Sequence, residues 1–191
     1  KQKLIRKVYA INDQANRLIR LKKKPEEQYC KAAQALANVS LSEVVNKDKT
    51  TVEEHDSALR SMFDECWSSG IWGQEESEKY TEILIGKDYE ESDKALMVSA
   101  VTLALLEMFD ERKLMLLFDA YESEALEVSQ RALTGLLLMM IRYDGRLRFF
   151  PEVSARFSLL CEQERFIQEC FTVLMQLQYS KQTDTVTAKM V

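Results

Sequence analysis

Turn chemistry is scarce in this chain: of its 191 residues only five are glycine and two are proline. Sandwiches and barrels need turn signals at intervals of roughly 8–12 residues, so an all-β fold is excluded. Long helices joined by tight polar corners are favoured instead. Hydrophobic residues make up 46% of the sequence, enough to bury a core, and disorder is excluded with it.

The apolar spacing outlines the expected helices. Residues 1–24 form one amphipathic helix, with Leu4, Val8, Ile11, Ala15 and Leu18 at spacings of four and three, and Ile5 and Ile19 beside them. Lys3, Arg6, Arg17, Arg20 and Lys24 gather on the other side. Pro25 starts a weaker, alanine-rich helix over 26–46, with a break read near Ser40. A capping box at Thr51-Val52-Glu53-Glu54 opens a third helix carrying Ala58, Leu59, Met62, Phe63, Cys66 and Trp67. Ser68 to Gly73 ends it, and a shorter helix runs to Gly86, a residue suited to a helix C-terminus.

Further on, Ser92 or Asp93, Asp110 and Ser123 are each placed to cap a helix. Twelve of the fifteen residues Ala95–Phe109 are apolar, and so is the run Leu136–Ile141. Between them Leu114, Leu117, Phe118 and Tyr121 make a single stripe, as do Phe150, Val153, Phe157 and Leu160 further on. Phe166, Ile167, Cys170, Phe171, Leu174 and Leu177 make a broader one. A helix apolar on all sides must be covered on all sides. The alternation therefore predicts helices near 95–109 and 124–142 sandwiched between one-sided neighbours.

The fragment Lys94-Ala95-Leu96-Met97-Val98-Ser99 returns thirty residues later as Glu124-Ala125-Leu126-Glu127-Val128-Ser129, and Asp110…Leu114 is answered by Asp144…Leu147. The stretch Val128-Ser129-Gln130-Arg131-Ala132-Leu133-Thr134-Gly135-Leu136 resembles the inner-helix pattern of HEAT-type repeats. It departs from them in its short period, since HEAT units run about 40–47 residues, and in Ser129, where a basic residue is common. The tetratricopeptide string W-x-x-L-G-x-x-Y does not occur. Ser99–Asp110, followed by Lys113-Leu114 and Asp119-Ala120-Tyr121-Glu122, resembles uncharacterised bacterial helical-repeat proteins in which such a region precedes tetratricopeptide-like repeats. The resemblance covers about residues 60–180 and brings no catalytic residue with it. It implies an all-α fold, antiparallel helix pairs stacked as a short HEAT-like α-solenoid of eight to ten helices. Residues 1–50 would then be a basic helix and an Ala-rich helix packing on the body, 51–180 the repeat body, and 181–191 the start of a further segment. The chain begins with Lys1 and reads as a piece of a longer protein.

Residues that could carry chemistry are few. His55 is the single histidine, and the cysteines at 30, 66, 161 and 170 form no C-x-x-C pair. Four ligands in paired spacing are what structural zinc requires, so no metal and no cofactor is expected. Reduced, mostly buried thiols point to a reducing, cytoplasmic compartment. Cys66 follows His55 by eleven residues, about 16 Å along a helix, too far for a catalytic pair. Glu107, Asp110, Glu111, Asp119 and Glu122 read as caps and solvated faces. Glycine-rich phosphate loops are absent. The longest uncharged stretches, Ala95–Leu106 and Ala132–Ile141, are too short to span a membrane.

Residues 1–24 carry nine Lys or Arg and one acid, a net +8, which leaves −13 for the rest of a chain whose total is −5. An acidic body argues against nucleic acid. The basic arm has three readings: it lies on the acidic body, continues a helix from upstream sequence, or touches anionic lipid or nucleic acid. Candidate partner-binding residues are Trp67 and Trp72, which either anchor a peptide or close the end of the stack, and Arg131 and Arg142, which either line a binding face or are the solvated ends of a buried helix. The expectation is a non-catalytic scaffold binding a protein or peptide, or the remainder of its own chain. The alternative is a regulatory or substrate-presenting domain of an enzyme whose catalytic part lies outside this chain.

Overall fold

A computed structural model describes residues 2–36, 52–87 and 89–190. Among these there are no strands and nine helices: α1 (Gln2–Lys23), α2 (Gln28–Leu36), α3 (Val52–Ser68), α4 (Gln74–Ile85), α5 (Glu91–Glu107), α6 (Glu111–Tyr121), α7 (Leu126–Leu147), α8 (Pro151–Cys161) and α9 (Glu164–Met190). The fold is all-α. The capping box read at Thr51 and the break read near Ser40 lie outside the described residues. The boundary drawn at residue 181 falls inside α9, which continues to Met190.

Contacts sort most of the helices into two rows. Helices α3, α5, α7 and α9 touch in succession, and so do α4, α6 and α8. Helix α6 also packs on α5 and α7, α8 packs on α7 and α9, and α2 packs on α3. The one-sided stripes face the seam: Leu114, Leu117, Phe118 and Tyr121 of α6 are buried, as are Phe150, Val153, Phe157 and Leu160 at α8. Ring contacts cross between helices, with Phe118 on Phe157 at 4.7 Å and Phe109 on Phe150 at 4.5 Å. Within Ala95–Phe109 only Leu103 is exposed. The middle of α7, from Ala132 to Met140, has no exposed residue, whereas its ends at Leu126, Arg131, Ile141 and Arg142 are wet. Helix α9 departs from expectation, because Phe166 is buried but Ile167 and Phe171 are exposed. It has α7 and α8 for neighbours and no further described helix beyond it to cover a second side.

Helices commonly end on a left-handed glycine that satisfies their last carbonyls. Here no described residue has a positive φ. Even Gly86, expected to end α4 that way, has φ −58° and ψ 144°. Local backbone N–H groups serve some ends, as at Gly86 and Met108, and donors from other helices serve others. Tyr143 donates to the Leu105 carbonyl at 2.6 Å, Ser129 to that of Tyr121 at 2.9 Å, and Arg17 to that of Ser68 at 2.7 Å. Each such bond ties a helix end to a neighbour and converts a terminal defect into a tertiary contact.

The core also contains acidic protons. Burial pushes the Cys66 thiol up to about 12 from its ordinary 9.0, and raises the Tyr80 hydroxyl, which lies beside that thiol. The unfolded chain gives up the Cys66 proton near pH 9 and the folded one keeps it to about 12, so stability is lost as pH rises through that window. The slope is about 1.4 kcal/mol per pH unit. Lys113, lowered by burial from 10.5, acts in the opposite sense below that pH. Urea titrations of wild type and Cys66→Ala across pH 7–12 should show the cost of the substitution shrinking by that slope above pH 9. A constant difference between the two would refute the assignment.

Candidate functional site

The α5–α7 contact leaves an open groove of about 460 Å³, lined by Ser99, Thr102, Leu103, Leu106, Arg131 and Leu138 among others. The exposed Leu103 and the partly buried Leu106 and Leu138 make its apolar wall, because α5 carries apolar side chains on every side and no described helix covers this one. Arg131 sits at its rim, donating to Ser99 Oγ at 2.8 Å and pairing with Glu127 at 2.6 Å. Both bonds are solvent-facing and easily exchanged for a ligand's acceptors.

Gly135 lines the groove too, and its lack of a side chain is what lets α7 approach α5. An added Cβ would fall well inside contact distance of Thr102 Oγ1 and at 3.1 Å from Leu117 Cδ1. Gly135→Ala should therefore lower stability by about 1–2 kcal/mol despite alanine's better helix propensity. Thr102→Ala in the same chain should recover most of that loss in chemical denaturation, and failure to do so would mean the approach is not set there.

The other sequence candidates are scattered. Trp72 is 2% exposed, stacked on Tyr80 at 4.5 Å, and donates its indole N–H to Ser69 Oγ at 3.0 Å. Its side chain is enclosed at the α3–α4 corner. Trp67 is half-buried between Tyr29 and Phe63. Arg142 is exposed, lies over the Tyr143 ring at 5.6 Å, and is not a lining residue of the groove. His55 is partly exposed on α3 with Nε2 3.3 Å from Asp93 Oδ2. All four cysteines are free: Cys30 and Cys66 are buried, but Cys161 is exposed and Cys170 half-buried, fewer buried thiols than expected. No cluster of three or more His, Cys, Asp or Glu side chains suited to a metal ion occurs among the described residues, and no helix there is long and apolar enough to cross a membrane.

Sequence reasoning missed a buried polar knot. Lys113 is 1% exposed and donates to the carbonyls of Ser69 (3.2 Å) and Gly70 (2.8 Å), with its ammonium 5.2 Å from the centre of the Trp72 ring. Asp110, equally buried, accepts from Trp72 N at 2.7 Å and Arg112 N at 2.9 Å. The N-cap role of Asp110 was legible; its hold on Trp72, in the corner just past the end of α3, was not.

The larger surprise is α1. It makes no extensive packing with any other helix, and side chains span the gap. Arg6 reaches the Phe149 carbonyl and Glu111 (3.7 Å), and Arg20 reaches Glu107 and Glu27. Asp13 takes both Arg146 nitrogens at 2.5 and 2.9 Å, while that guanidinium also lies over the Tyr9 ring at 4.4 Å. The charged side is thus the docked one. The apolar stripe points outward, with Leu4, Ile11 and Leu18 at 67%, 66% and 63% exposure. An amphipathic helix ordinarily does the reverse.

Asp13→Ala would strand Arg146 and free the middle of α1. Trypsin cleavage within α1, followed by mass spectrometry, should accelerate about tenfold while the body stays intact, in line with a local opening made easier by roughly 1–2 kcal/mol. Unchanged cleavage would show that α1 is held by something else.

Comparison with known proteins finds no family model, no curated protein and no solved structure that matches this chain.

Proposed function

We propose that this chain is a non-catalytic protein–protein interaction scaffold, built as a short α-solenoid of antiparallel helix pairs similar to HEAT or tetratricopeptide-type repeats. The observation that carries the reading is the open α5–α7 groove, which combines the exposed Leu103 and the partly buried Leu106 and Leu138 with an arginine whose bonds face solvent. Stacked helix pairs generate an extended surface as a by-product of burying their other faces, and a groove along such a row accepts a peptide. The two rows of contacts support the solenoid arrangement. So does the Tyr143–Leu105 bond, which brings the C-terminal parts of α5 and α7 together.

The test is a photo-crosslinking side chain placed at Gln130, on the groove, in the full-length protein in its own cells. A control carries it at Ser158, on the exposed side of α8. A protein adduct formed from Gln130 alone, and lost when Leu103→Asp and Arg131→Glu are combined, is the expected result. Adducts that ignore those substitutions, or none specific to Gln130, would overturn the reading.

A further inference from the structure

Beneath α1 lies a second hollow, an open cleft of about 520 Å³ between that helix and the N-terminal ends of α6 and α8. Its volume falls within the range of small-molecule sites. Long charged side chains hold α1 to the body here, and the space between them stays open. Tyr9, Phe109, Met115 and Phe150 give the cleft an apolar wall. The Arg6 guanidinium, also a lining group, is spread over the Phe150 ring at 4.5 Å.

Four cations and four acids line the cleft, but they are not equally free. Asp13 is taken by both terminal nitrogens of Arg146, and Glu111 is paired with Arg6 at 3.7 Å. Asp110 accepts from two backbone N–H groups, and the buried Lys113 ammonium offsets its charge. That leaves Lys3, Lys7 and Arg112 against Glu152, a surplus of two positive charges. Lys3, Lys7 and Glu152 have no hydrogen-bond or ion-pair partner among the described residues. The Arg112 side chain gives one bond, to the Trp72 carbonyl at 3.0 Å. The end of α8 adds to the surplus, because Phe150 supplies no side-chain cap and a helix N-terminus favours an anion. Burial also raises the Glu111 carboxyl above its ordinary 4.5, against the pull of Arg6. The cleft is thus partly dehydrated, and charge pairing in it is worth more than on open surface.

We propose that this cleft binds a small aromatic dianion, an aryl phosphate ester or an aromatic dicarboxylate. Its anionic groups meet Lys3, Lys7 and Arg112, and its ring lies along the apolar wall and the Arg6 guanidinium, a group that stacks on aromatic faces. A neutral ring would leave the surplus charge unmet, and a bare anion would leave the wall unused. The cleft is separate from the α5–α7 groove, so the failure of either leaves the other standing.

The probe is 2-naphthyl phosphate, followed by its own fluorescence as the 191-residue chain is added at about pH 7.5, where the ester is a dianion. Two controls divide its chemistry: 2-naphthylmethylammonium keeps the ring and reverses the charge, and inorganic phosphate keeps the charge without the ring. The ester is expected to bind at least about tenfold more tightly than either, with affinity falling as salt rises. Naphthalene-2,6-dicarboxylate in parallel tells which anionic group is preferred, and tenfold selectivity by either dianion supports the site. Lys3→Glu combined with Lys7→Glu changes two exposed side chains, so it should weaken binding about tenfold or more with circular dichroism unchanged. Glu152→Gln removes the unpaired acid and should tighten binding about threefold. Ile11→Asp on the outer side of α1 and Leu103→Asp at the groove should have no effect, which separates the cleft from those apolar surfaces. Binding no tighter than that of the ammonium compound or inorganic phosphate overturns the proposal, as does no saturable binding of either dianion. So does indifference to the lysine reversal, weakening by Glu152→Gln, or loss of binding with Ile11→Asp or Leu103→Asp.

Discussion

Leu136→Asp is expected to abolish the native fold. Leu136 is 0% exposed in the middle of α7, part of the continuous core that joins both rows of helices. A carboxylate there would be shut away from water among the apolar side chains of the core. Burying it, or opening the core to hydrate it, should cost roughly 5 kcal/mol or more, comparable to the whole stability of a domain this size. Circular dichroism at room temperature should show lost cooperativity and the protein should partition to the insoluble fraction. Leu136→Met, which keeps volume and polarity, should stay within about 1.5 kcal/mol of wild type. An aspartate variant that melts like the parent would remove α7 from the centre of the molecule.

Asp110→Ala should give the second-largest loss. Its two oxygens accept from Trp72 N and Arg112 N, and its charge offsets the buried ammonium of Lys113, whose protonation it favours. Alanine leaves two donors short of a partner and a buried cation with only carbonyls for company. About 3–5 kcal/mol is the expected cost. Asparagine keeps the shape and one acceptor but turns an amide toward the other donor, so it should recover only part. Lys113→Met in the Asp110→Ala background is the discriminating variant. Removing the stranded charge should make the double change clearly less costly than the two single losses added together. Urea denaturation of the four-member cycle measures this, and strict additivity would show that the knot is two independent contacts.

Those two predictions stand on different kinds of legibility. The core position of Leu136 follows from an apolar run that has no other outlet than burial. The same logic placed the stripes of α6 and α8 and the many-sided burial of α5. It does not reach α1, where charge decides: the basic arm was expected to lie on the acidic body, but the apolar period says nothing of which residues it would meet there. Here the surface facing α1 offers Glu107, Glu111, Arg146 and the carbonyls of Ser68 and Phe149. Several charge-assisted bonds then outweigh the burial of a narrow aliphatic stripe. Nothing in the spacing of residues 1–24 states what will stand opposite them. The same blindness hid Lys113, since a lysine on an amphipathic helix is ordinarily written to the wet side.

Period and composition determined, by themselves, that the chain is helical, where most helices lie, and which of them are enclosed. These are local properties, set by a few residues of spacing and by the aversion of apolar surface to water. The tertiary structure alone decided which side of α1 faces out, where the groove between α5 and α7 opens, and how helices without glycine caps satisfy their ends. Each of these depends on donors, acceptors and charges brought together from positions far apart in the chain.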